Sequence, residues 1–168
     1  MAYSLVYYGN ETLKKVAEEV KNIDDEILSL VDSMFGVMYK AKGIGLAAPQ
    51  VNVSKRIVVI DIKDFNGKPP LVLINPVIQE SSNEIEPYDE GCLSLPGITA
   101  DVIRPSRVKM QAHDISGKKI EIETGGLLAR VLQHEIDHLN GIVFIDHLEE
   151  FIRRELRPEL KKIKKMNV

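Results

Sequence analysis

Residues 133–138 read Gln133-His134-Glu135-Ile136-Asp137-His138, an H-E-x-x-H sequence inside a stretch with helical periodicity from Leu127 to Asn140. No other segment restricts the fold so strongly. At about 100° per residue, His134 and His138 stand about 40° apart on one helix face. Neutral imidazoles at that spacing can bind one metal ion. Glu135 follows the first directly, where a carboxylate can reach a water on that metal. Leu128, Leu132, Ile136 and Leu139 share one side, and Leu127, Val131, His134 and His138 an adjoining one. Arg130, Gln133, Asp137 and Asn140 hold the remaining arc. So apolar a helix is expected to run through the centre of the fold. Two satisfied core histidines are the alternative, but three ionisable groups buried there would be costly without a metal. The chain by itself predicts a metal-assisted hydrolase.

Composition sets the frame for that helix. The 168 residues suit one compact domain, and 44% apolar content supplies an ample core. The net charge of −3 is unevenly placed. Residues 153–168 carry seven basic side chains against Glu155 and Glu159, so a +5 tail follows a −8 body. Cys92 is the lone cysteine, which rules out an intramolecular disulfide and fits a reducing compartment. Met1-Ala2-Tyr3-Ser4 lacks the basic and apolar regions of a signal peptide, and no run is long enough to span a membrane. A cytoplasmic location is expected.

Leu13, Val16, Ala17 and Val20 predict a short amphipathic helix. Asp24 caps a second, with Ile27, Leu28, Val31, Met34, Phe35 and Met38 buried and an end near Gly43. Arg56–Ile62 and Leu71–Ile78 read as strands divided by Asn66-Gly67-Lys68-Pro69-Pro70. Val108, Met110 and Ala112 alternate with polar residues, and Ser116-Gly117 turns the chain towards Ile120 and Ile122. Thr124 is a candidate cap for the motif helix, Asn140-Gly141 its stop, and a last helix starts near Asp146 and is disturbed at Pro158. Without regular β-α-β alternation, the fold class is α+β.

A catalytic metal site needs a third ligand. In the longer H-E-x-x-H-x-x-G-x-x-H pattern, Gly141 matches but Phe144 stands where the last histidine belongs. Glu155 or Glu159 remains open, though both lie in a charged tail. The better candidate is Cys92, flanked by Gly91, which permits close backbone approach, and by Pro96-Gly97, which bends the chain.

Three segments together resemble the peptide deformylases: Gly43-Ile44-Gly45-Leu46-Ala47-Ala48-Pro49-Gln50, Glu90-Gly91-Cys92-Leu93-Ser94, and the H-E-x-x-H helix. Their order and separations fit that family, and the resemblance extends over most of the chain. It implies a central metal-binding helix packed against antiparallel sheets. It implies Cys92, His134 and His138 as ligands, Glu135 as general base and acid, and Gln50 with the Leu93 N–H as donors to the oxyanion. It implies Fe2+ as the native ion, replaceable by Zn2+ or Ni2+, and N-formylmethionyl nascent peptides as substrates. Ile44, Leu127 and Val131 are expected to line a pocket for the methionine side chain, or else to be ordinary core. Gly45 and Gly91 are expected beside the substrate. Gly43-Ile44-Gly45 is no phosphate loop, because the required Lys and Ser/Thr are missing.

One departure stands out. Members often carry an arginine shortly after the cysteine segment, where this chain has Gly97-Ile98-Thr99-Ala100 and then Arg104. Arg104 is expected to pair with Glu90 instead. The basic C-terminal segment is expected either to dock on the ribosome or to be a solvated helix packed on the body. No membrane partner and no sequence-specific nucleic-acid binding are expected. Two competing readings remain: another metallohydrolase with a downstream ligand, and a metal-stabilised binding module that needs no Glu135.

Overall fold

The computed structural model describes residues 2–62 and 69–167. Three helices, α1 (Asp25–Lys40), α2 (Gly126–Leu139) and α3 (Glu150–Lys164), combine with seven strands. These are β1 (Gly45–Ala47), β2 (Ile57–Ile60), β3 (Leu71–Ser81), β4 (Ile85–Cys92), β5 (Leu95–Pro105), β6 (Arg107–His113) and β7 (Lys119–Gly125). An antiparallel sheet runs in the order β1-β2-β3-β6-β7, and β4 and β5 form a separate hairpin. The architecture is α+β, as expected.

Strand β2 explains how the layers stack. All four of its residues are buried, so both faces are covered. Val58 and Ile60 pack with Leu73, Met110 and the α2 residues Leu128, Leu132, Ile136 and Leu139. Ile57 and Val59 pack with Leu46, Ile74 and the α1 residues Met34 and Met38. Two helices therefore sandwich one sheet, and α2 lies at the centre with eleven of its fourteen residues buried. Truncating a fully buried leucine there, such as Leu132 or Leu139, would cost about 2–5 kcal/mol. That packing fixes the face on which both histidines stand.

Several local expectations need correction. The first predicted helix is only a 3₁₀ turn at Glu11–Lys14, capped by the Asn10 side chain. Beyond it the backbone is extended because partners elsewhere take its hydrogen bonds: Ala17 N–H donates to Leu139 O at 2.8 Å and Glu18 N–H to Ser54 O at 3.0 Å. Leu13, Ala17 and Val20 are still buried, while Val16 is 68% exposed. Asp24 caps α1 through Ile27 N–H at 3.0 Å. Leu30 replaces Leu28 on the buried face, and Leu28 is exposed. Strand β2 is shorter than expected and β3 longer, and the Asn66-Gly67-Lys68 part of the expected turn lies outside the described residues. The β6–β7 hairpin turns at Ser116-Gly117 as expected.

Thr124 does not cap α2. It lies within β7, and Gly125 is the cap position. Asp146 sits in a 3₁₀ turn, where its carboxylate accepts from Val143 N–H, so α3 starts at Glu150. Pro158 does not interrupt α3. It lies on the exposed side, where the carbonyl it leaves unpaired can meet water. The hairpin β4–β5 has no counterpart among the expected strands. β4 buries only Glu90, and β5 buries Leu95, Ile98, Val102 and Arg104 at irregular spacing, so alternation of hydrophobicity is lost.

Candidate metal centre and active site

The centre is assembled from three places. Helix α2 supplies His134, Glu135 and His138, the end of β4 supplies Cys92, and the 3₁₀ turn Ala48–Val51 after β1 supplies Gln50. The ligand atoms of Cys92, His134 and His138 lie within 4.8 Å of one another, with Cys92 Sγ 3.3 Å from His138 Nε2. Among the described residues no other trio of His, Cys, Asp or Glu converges in this way. Glu155 and Glu159 stand exposed on α3, and Phe144 stacks on the His134 ring at 6.0 Å, so the downstream-ligand reading has no support.

Glu90 orients the site from behind. Its Oε1 lies 2.9 Å from His134 Nδ1, which leaves Nε2 of that ring for the centre. Arg104 grips Glu90 at 2.7 and 3.0 Å, and Arg130 adds a bond of 2.8 Å. The expected Arg104–Glu90 pair is therefore present. Burial alone would raise the Glu90 pKa, but hydrogen bonds from His134, Arg104 and Arg130 hold it down to about 2. Arg104 also reaches Asp137 at 2.8 Å, and His147 meets the same carboxylate oxygen at 2.8 Å. Burial and the neighbouring His134 press the His138 pKa down to about 3, so its imidazole is neutral at ordinary pH, as a ligand must be.

Glu135 is buried beside the ligands, and desolvation pushes its pKa up to about 7. Among the described residues, its Oε1 and His138 Nδ1 are buried with no hydrogen-bond partner. Gly45 faces the same carboxylate closely: a Cβ there would stand 2.8 Å from Glu135 Oε2 and 3.0 Å from Val131 Cγ1. Glycine is thus required by approach, beyond any need of a loop. A Cβ on Gly43 would fall 2.6 Å from Leu93 Cδ1, the end of a half-buried side chain.

Gln50 is almost fully buried, and both ends of its amide are fixed. Oε1 accepts from Ala47 N–H at 3.0 Å, which turns Nε2 towards Cys92 Sγ at 3.5 Å and Ser94 Oγ at 3.2 Å. In front of these groups lies an open cleft of about 510 Å³. Ile44, Gly45, Gln50, Gly91, Cys92, Leu93, Leu127, Val131, His134 and Glu135 all line it, so the expected substrate-side residues meet in one place. Ile44 and Leu127 are 42% and 37% exposed, more than core residues would be, while Val131 is buried. Sequence reasoning gave Ser94, Arg130 and the Glu90–His134 contact no role. Arg130 looked like the outer arc of α2, yet it is buried and also donates to Val102 O and Glu86 O.

One thiolate and two imidazoles form a donor set that suits a single divalent cation, and Glu135 lines the same cleft as Cys92 and His134. Fold and site together define an α+β hydrolase with a centre fitted to one metal ion. The model of the polypeptide deformylase family matches residues 2–154, and the chain belongs to the peptide deformylase family. It is 48% identical to a peptide deformylase of Brachyspira hyodysenteriae over 172 aligned positions, covering all of this chain and 92% of that one. It is 47% identical to one of Cellvibrio japonicus, covering 98% and 96%. Among solved structures, a peptide deformylase of Legionella pneumophila superposes with a TM-score of 0.91 at 42% identity, covering 99% and 97% of the two chains. That of Synechococcus elongatus in complex with actinonin gives 0.88 at 45% identity, covering 95% and 86%. The activity is that of the family: metal-dependent hydrolysis of the formyl group from the N-terminal methionine of new polypeptides, releasing formate. No helix among the described residues is long and apolar enough to cross a membrane.

Proposed function

We propose that Cys92, His134 and His138 hold the metal, that Glu135 moves the proton, and that Gln50 and the Leu93 N–H receive the developing oxyanion. The observation that carries this reading is the convergence of the three ligand atoms within 4.8 Å beside a buried, half-unpartnered glutamate. A bound cation would supply Lewis acidity and acidify water. Water adds to the formyl carbon while Glu135 takes its proton. Charge collects on the formyl oxygen, within reach of the Gln50 amide, whose nitrogen is aimed by the Ala47 N–H bond at Oε1. The C–N bond then breaks, Glu135 returns the proton to the leaving nitrogen, and formate and a free amine result. A group raised to about 7 suits both halves of that transfer.

The methionine side chain lies against Ile44, Leu127 and Val131, with Gly45 and Gly91 giving the peptide backbone room. Fe2+ is the native ion in this reading, with Zn2+ or Ni2+ able to replace it, because a soft thiolate with two imidazoles suits all three. Residues 1–168 act as one catalytic domain in the cytoplasm, and formylated nascent chains are the substrates. The exposed basic side chains of α3 give the chain a surface for ribosomal RNA. Its Leu160 and Ile163 are buried against Leu95, Ile98 and Val102, so the helix also belongs to the body. The test is formate release from a formyl-Met peptide beside an acetyl-Met control. Turnover of the first only is the expected result, and equal turnover of both would overturn the account of the site.

A further inference from the structure

We propose that Lys42 is a specificity-determining residue, placed at the cleft mouth to favour peptides with an acidic side chain at one of the first two positions after the formyl-methionine. The argument begins with the end of α1. Lys42 N–H donates to Tyr39 O at 3.0 Å and Gly43 N–H to Met38 O at 2.9 Å, the paired bonds of a Schellman ending. Lys42 holds the left-handed position of that motif, at φ 60, where glycine is the residue of least strain. A Cβ on Gly43 would fall 2.6 Å from Leu93 Cδ1, so the loop passes close to the residue that follows Cys92. A lysine kept where glycine would be easier needs a use for its side chain.

The charges around the cleft supply that use. Of its acidic and basic lining residues, Glu90 and Arg130 are bound to each other, and Glu135 is buried. Lys42 and Asp89 remain, both exposed. Lys42 forms no ion pair among the described residues. It adjoins Gly43-Ile44-Gly45, while Asp89 belongs to β4, and both line the cleft. An extended peptide presents successive side chains to opposite walls. Lys42 can therefore meet one of the early positions without meeting the next. Thr99 is uncharged, which leaves Lys42 as the exposed cation lining this cleft among the described residues.

This inference rests on the cleft being the peptide site. The experiment compares kcat/KM for amidated formyl-Met-Glu-Ala, formyl-Met-Lys-Ala, formyl-Met-Ala-Glu and formyl-Met-Ala-Lys at low salt. Wild type is expected to favour Glu over Lys at one of the two positions by about two- to fivefold, a bias that shrinks as salt is added. Lys42→Glu should reverse the bias at that position. Lys42→Gly should erase it without lowering Tm, because glycine relieves the left-handed residue. No acidic preference at either position in wild type overturns the proposal, as does a uniform change for all four peptides in Lys42→Glu. Ile44→Glu is the control for the cleft itself, and it should depress turnover of every peptide. If it does so while the Lys42 variants keep the wild-type ratios, only the role of Lys42 fails. If it does not, the assignment of the cleft fails as well.

Discussion

Gly45→Ala should damage catalysis while leaving the metal ligands untouched. The added methyl carbon would stand 2.8 Å from Glu135 Oε2, 3.1 Å from Glu135 Cγ and 3.0 Å from Val131 Cγ1, where ordinary contact begins near 3.4 Å. Glu135 cannot swing clear cheaply, because it is enclosed on α2. Either the carboxylate or β1 must move by roughly half an ångström in a close-packed interior. Overpacking of this kind costs about 1–3 kcal/mol, which lowers Tm by roughly 2–10 °C in a chain of this size. A displacement of that order at a proton-transfer group should reduce kcat by about 10- to 100-fold. The assay is formate release under saturating formyl-Met peptide, with metal content and thermal unfolding measured on the same sample. Normal kcat and unchanged Tm in Gly45→Ala would show that the contact is not restrictive and that Glu135 is not held by it.

Glu90→Gln removes the carboxylate shared by Arg104 and Arg130, and of the two only Arg104 keeps an anion, Asp137, so it should cost about 3–5 kcal/mol near neutral pH. The folded-state pKa of Glu90 is depressed, so its stabilisation is present above the ordinary value of 4.5 and fades as pH falls towards about 2. Denaturant titrations should therefore show wild type and variant converging in acid. For metal-free protein, Glu135→Gln should stabilise: the carboxyl pKa is raised, so wild type loses stability as pH climbs from 4.5 past about 7. The gain should approach roughly 3 kcal/mol in mild alkali and vanish in acid, as read by the same titrations. Replacing Arg153, Arg154, Arg157, Lys161 and Lys162 with Gln should keep turnover and Tm, since all five are exposed. It should also remove ribosome co-sedimentation that weakens steeply with salt in the unaltered chain.

The site was far more legible in the sequence than the fold around it. The H-E-x-x-H spacing announces one helix face without any tertiary information, and the apolar residues around it announce that the helix is central. Cys92 and Gln50 come from other segments, and only the joint resemblance of three motifs connected them to α2. The hairpin β4–β5 escaped because β4 buries only the charged Glu90, and the buried residues of β5 (Leu95, Ile98, Val102 and Arg104) are irregularly spaced and include a charge. Arg130 escaped as another buried charge. Leu13, Val16, Ala17 and Val20 misled in the opposite direction, since their spacing fits a helix while Leu139 O and Ser54 O claim the backbone donors. Buried charge and long-range backbone pairing leave little trace in local periodicity.

The most direct test is to measure metal content and turnover together in Glu135→Gln. The side chain lies between two ligands and is not itself one of the converging trio. Metal content should stay near one ion per chain, while formate release falls by about 10²–10⁴-fold, the usual worth of general acid–base catalysis. Near-normal turnover in the metal-loaded variant would contradict the account.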